Sequence, residues 1–158
     1  MILDNEMKVC DSVTVRASDP DYSSAIDLTL SPDMGTGKEL YAIIIVELYT
    51  AGSSTATEIS VVSSAAAALT SPKKLSSVTL TAAQLEARDD GANKQAIVLR
   101  IHPNQEADTP VSGVTERYLG IEFDHATTPT VMTVTAYFTH DYQSDPTLAH
   151  HASGFIIA

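Results

Sequence analysis

One cysteine, Cys10, and no tryptophan occur among the 158 residues. A lone thiol excludes an intrachain disulfide and a thiolate metal cluster. Basic residues are scarce as well: nine Lys and Arg stand against twenty Asp and Glu, for a formal net charge of −11. Charge of that sign repels phosphate, and the only adjacent basic pair is Lys73-Lys74, so no nucleic-acid partner is expected. No apolar run approaches the roughly 18 residues of a membrane span, and no membrane partner is expected. The opening MILDNEMK carries one Lys and no extended apolar core, unlike a secretory leader. A soluble chain is the expectation.

What is present favours burial and strands. A folded monomer of 16.8 kDa exposes roughly 7,600 Å² against about 24,000 Å² for its extended chain, enough for one self-sufficient core. Val, Ile, Thr and Ser are plentiful, and few segments keep a 3.6-residue apolar period. Alternation or short solid apolar runs predict strands at Ser12–Arg16, Ala25–Leu30, Leu40–Tyr49, Thr57–Val62, Lys74–Leu80, Lys94–Ile101, Arg117–Asp124 and Val131–His140. The solid centre of LYAIIIVELY predicts a central strand buried on both faces. In RYLGIEFD, Tyr118 and Gly120 share one face while Leu119, Ile121 and Phe123 share the other. Ala65–Leu69 is either a helical turn or a wide loop. The best helix signal is Thr81-Ala82-Ala83-Gln84, a capping box, with Asp90-Gly91 ending the segment after about two turns. The expected fold is all-β: a jelly-roll-like two-sheet sandwich of about eight strands with at most one short helix. Residues 1–140 form the sandwich in this reading, and residues 141–158 form a C-terminal arm.

Chemistry-bearing patterns are weak. Gly35-Thr36-Gly37-Lys38 fails as a phosphate loop, because Pro32 stands where a glycine is required and Glu39 where Ser or Thr is. His102, His125, His140, His150 and His151 lack the convergent spacing of zinc ligands and read as surface or interface histidines. Asp19, Asp21, Asp89 and Asp90 flank turns without forming a calcium loop. Cys10 has no nearby histidine, and no Gly-x-Ser-x-Gly elbow occurs. The expectation is therefore no catalytic, cofactor-binding or metal site. The apolar ends, Ile2 and Leu3 together with Phe155, Ile156 and Ile157, are the candidate contact residues, since burying each large side chain contributes about 1.5–3 kcal/mol.

The order of segments adds a resemblance. Met1-Ile2-Leu3-Asp4, the stretches VTVRAS and SSAIDLTL, GTG-x-x-LY over residues 35–41, and Glu116-Arg117-Tyr118-Leu119-Gly120-Ile121 ahead of a final Val/Thr-rich strand follow one another over residues 1–140. This resembles the capsid cement (decoration) proteins of tailed bacteriophages, of the type described from a Bordetella phage. The resemblance implies a jelly-roll-like sandwich on the outer capsid surface of a virion, bridging copies of the phage major capsid protein. It also implies a small homo-oligomer, a dimer rather than a trimer. The Ala-rich 65–69 stretch and the apolar tail depart from that pattern. A carbohydrate- or receptor-binding sandwich is the alternative, with Tyr22, Tyr49 and Tyr142 as candidate sugar platforms.

Overall fold

Residues 7–15, 20–28, 40–89, 95–101, 117–127, 129 and 131–139 are described by the computed structural model. In chain order the elements are β1 (Lys8–Thr14), β2 (Asp21–Tyr22), β3 (Ile26–Asp27), β4 (Leu40–Thr50), β5 (Ala56–Ser64), β6 (Lys73–Thr81), α1 (Ala82–Asp89), β7 (Ile97–Ile101), β8 (Tyr118–His125) and β9 (Val131–Thr139). All the strand pairs are antiparallel. One sheet has the order β1-β9-β4-β7; the other has β2-β8-β5-β6, with β3 also on β8. Counting β2 and β3 as one interrupted strand, the described residues hold eight strands, and consecutive strands alternate between the sheets except for the β5–β6 pair, as in a jelly roll.

Alternation explains why the sheets face each other. Ala42, Ile44 and Val46 of β4, Ile59 and Val61 of β5, Leu119, Ile121 and Phe123 of β8, and Val134, Ala136 and Phe138 of β9 form one continuous core. On β4 the opposite face is half-buried at Tyr41 and Ile45 and buried at Ile43, as a solid apolar run between two neighbours requires. The capping box forms as the sequence predicts: the Thr81 N–H donates to Gln84 Oε1 (2.9 Å), and the Gln84 N–H donates to Thr81 Oγ1 (3.3 Å). The short helix drops Leu85 into the core and is tied to β4 where the Tyr49 N–H donates to Asp89 Oδ2 at 3.0 Å.

Several strand boundaries differ from expectation. The first strand starts at Lys8 rather than Ser12, because its pairing with β9 runs back to Lys8↔Tyr137 and buries Val9 and Cys10. Ala25–Leu30 gives only the two-residue β3 before Leu28, whose N–H donates to the Arg117 carbonyl. Towards the other end, β5 continues to Ser64 because Ser63 and Ser64 pair with Leu119 and Tyr118. The strand expected over Lys94–Ile101 begins at Ile97.

Two irregularities are locked by side chains. Between Val46↔Val134 and Leu48↔Thr133, Glu47 is an extra residue in β4; close by on the other side of β9, β1 sets two residues, Asp11 and Ser12, against Thr135, with Ser12 at φ 49°. The carboxylate of Glu47 spans both bulges, accepting from Ser12 Oγ (2.7 Å) and Thr135 Oγ1 (2.5 Å), while Thr135 Oγ1 accepts the Ser12 N–H (3.0 Å). In the other sheet, Ser23 bridges the gap between β2 and β3: its N–H donates to the Ile121 carbonyl and its Oγ accepts the Ile121 N–H.

The stretch over 65–72 is a loop. It turns on left-handed Leu69 (φ 53°) and Ser71 (φ 50°) and lays Leu69, fully buried, over Gly120 on the outer face of the five-stranded sheet. A Cβ at position 120 would lie 2.4 Å from Leu69 Cδ1 and 3.1 Å from Ser23 Oγ, so the glycine exists to admit that leucine. Gly120→Ala is expected to destabilise the fold by about 1–3 kcal/mol in urea unfolding, and by much less in a Leu69→Ala background, because the clash is then gone.

Candidate functional site

The outer face of the five-stranded sheet carries a polar cluster built from three strands and the short β2. Alternation turns Glu122 of β8 outward, opposite Tyr22 of β2 and Ser60 of β5. Glu58 is the next outward residue of β5, and Lys74 reaches in from β6. Lys74 Nζ lies 2.9 Å from Glu58 Oε2 and 3.4 Å from Glu122 Oε2. The Tyr22 hydroxyl donates to Glu122 Oε1 at 3.5 Å, and Ser60 Oγ donates to Glu58 Oε1 at 3.4 Å.

Electrostatics fixes the protonation of this group. Hydrogen bonding to Glu58 pushes the Lys74 ammonium above the usual lysine range, and the same bond holds Glu58 below the usual carboxylate range. Lys74 is thus a permanent cation here, not an amine nucleophile. Burial and the Glu122 carboxylate raise the Tyr22 phenol, so it remains a hydrogen-bond donor. Glu122 is only 5% exposed and its Oε2 has no aligned hydrogen-bond donor. The Lys74 ammonium is its ion-pair partner at 3.4 Å. The chemistry open to this arrangement is recognition by charge and hydrogen bonds on a stiff platform, with Tyr22 exposed at its margin.

A second polar pair faces the core. His125 and Thr57 are directly opposite each other on β8 and β5, and His125 Nδ1 lies 2.8 Å from Thr57 Oγ1. The imidazole is 3% exposed and its Nε2 has no hydrogen-bond partner. This corrects the surface or interface reading for His125, because the alternation that brings Phe123 inward brings His125 inward too. Burial lowers its pKa, opposed by the charges of Asp21 on β2 and Asp124 on its own strand.

The other sequence candidates divide as follows. Ile2, Leu3, Phe155, Ile156 and Ile157 lie outside the described residues, as do the 35–38 turn, Asp19, Asp90, His102, His140, His150, His151 and Tyr142. Tyr49 cannot stack on a sugar: it is 4% exposed within the core. Cys10 is buried and its thiol is pushed up to about 11 by that burial, which leaves it inert near neutral pH. Asp89 accepts from the Tyr49 backbone, and Arg117 grips Asp27 with Nε (2.8 Å) and Nη2 (2.5 Å) while its guanidinium lies over the Tyr118 ring. Among the described residues no group of three or more His, Cys, Asp or Glu converges in a way that can hold a metal ion.

Sequence reasoning missed the Tyr22–Glu58–Lys74–Glu122 cluster. Its residues are 100 positions apart at the extremes, and the outward parity of Glu122 was the only local signal. Fold and site together define a jelly-roll sandwich bearing an ion-paired outer face. No protein-family model matches the chain, and no curated protein is significantly similar to it.

Lys74→Met is expected to cost about 1–3 kcal/mol in chemical denaturation, since it strands the buried Glu122 carboxylate, and Glu122→Gln in that background is expected to recover most of the loss. His125 binds protons more weakly folded than unfolded, so its contribution to stability is present above about pH 6.5 and falls as pH drops through the lower folded pKa. Urea midpoints measured from about pH 7.5 down to about pH 5 are expected to decline, and His125→Gln is expected to flatten that slope.

Proposed function

We propose that the protein is a structural virion component that binds the outer surface of an icosahedral phage capsid and stabilises the shell by bridging major capsid subunits. The observation carrying this reading is the ordered resemblance to phage cement proteins, together with where its residues fall. Leu40-Tyr41 opens β4, Arg117 directly precedes β8 and Tyr118 to Ile121 opens it, and these strands are internal to their respective sheets. The Arg117–Asp27 grip and the Leu69–Gly120 contact make RYLG a segment that holds the fold together.

A cement protein acts by linkage. Binding the assembled shell and not its dissociated subunits shifts the equilibrium towards the shell. A contact of about 800 Å² per partner suffices for stable association, and many copies make modest contributions collective. The paired bulges at Glu47 and the ion-paired outer face stiffen the sandwich, so it can transmit load between the subunits it bridges. In this reading Ile2, Leu3, Phe155, Ile156 and Ile157 are the apolar contacts that the arms bring to neighbours.

Purified protein is expected to co-sediment with capsids stripped of their surface proteins and to raise the temperature at which those capsids rupture. Removing residues 142–158 is expected to weaken attachment while circular dichroism and thermal unfolding still report a folded sandwich. Failure to co-sediment, with no change in rupture temperature, would overturn the proposal.

A further inference from the structure

Sheet edges expose unpaired backbone N–H and C=O groups, and natural proteins guard them with short strands, bulges or charge. Three of the four edges among the described residues are guarded in these ways. In β1 the register breaks twice, Ser12 has positive φ, and Lys8 and Asp11 flank the breaks. The β2 and β3 edge consists of two-residue pieces interrupted by Ser23. At β7 the edge is five residues long and carries Arg100.

The fourth edge, β6, has its guards, the Lys73-Lys74 pair and a bulge at Leu75, at one end only. It runs nine residues, KKLSSVTLT, and ends the order β2-β8-β5-β6. Leu75 is its single extra residue; from Ser76↔Val61 to Thr81↔Ala56 the register with β5 is unbroken. Leu75 to Thr81 holds no charge and no proline. Leu75 and Val78 pack against the core yet remain half-buried, so the apolar layer stops short at this margin.

We propose that the β6 edge is a strand-pairing surface whose occupant is β6 of a second copy of this chain, joined antiparallel about a two-fold axis at Val78. Val78 is the midpoint of the uncharged stretch. Antiparallel self-pairing sets Ser77 opposite Thr79 of the other copy and sends the two Lys73-Lys74 pairs to opposite ends, whereas a parallel pairing would crowd four lysines together. The chain's net charge of −11 opposes self-association elsewhere, but this strand carries two lysines and no acid. The resemblance implies only that copies associate; the edge and the two-fold at Val78 rest on the strand itself, and the pairing requires no shell.

The test uses the full chain in the absence of capsids. Sedimentation equilibrium up to about 100 µM is expected to report a reversible dimer. Under mild oxidation Val78→Cys is expected to form a covalent dimer, because directly opposed Cα atoms lie about 4.5–5.5 Å apart, within disulfide reach. In Thr81→Cys the two thiols would be offset by about 20 Å along the strands, and cross-linking at least tenfold slower is expected. The buried Cys10 thiol stays out of the reaction. A chain that remains monomeric throughout, or equal cross-linking of the two variants, would overturn the proposal.

Discussion

Strand β8 is the constraint around which the molecule is organised. Leu119, Ile121 and Phe123 fill the core from one of its faces, and its edges hold β5 on one side and β2 and β3 on the other. Three of its outward residues are committed as well: Gly120 lies beneath Leu69, Glu122 faces Lys74 and Tyr22, and Tyr118 lies beneath the Arg117 guanidinium. A one-residue slip of this strand would send Glu122 into the core and Phe123 to the surface. The hydrophobic cost of that exchange fixes the register, and the register places every polar contact on the outer face.

Polar groups in this protein serve to hold backbone irregularities in place. Glu47 ties together the two bulges that β1 and β4 make against β9. Ser23 supplies the hydrogen bonds that a continuous strand would have made with Ile121. His125 and Thr57 satisfy one another inside the core at the cost of an unpaired Nε2, the kind of buried group whose protonation loosens a fold. This division, with apolar side chains setting the layers and polar ones the exceptions, suits a protein whose proposed role is mechanical.

Both the ion-paired face and the β6 edge belong to the five-stranded sheet. Lys74 links them, since it lies at the start of the edge strand and also pairs with Glu58 and Glu122. Its charge is consumed within its own sheet, so the following stretch, Leu75 to Thr81, is left without the lysine guard that edges usually carry.

Alternation and turn chemistry are local, and the sequence alone determined what depends on them: the long strands, the inward and outward faces of RYLGIEFD, the Thr81–Gln84 capping box and the two-sheet class. Strand ends were less legible, because where β1 begins or β5 stops depends on how far its partner runs. The convergence of Tyr22, Glu58, Lys74 and Glu122, the inward turn of His125, the burial of Tyr49 and the leucine over Gly120 were decided only by the tertiary structure. Each depends on strand order and register between segments far apart in the chain, and a single sequence carries no local signal for which strands become neighbours.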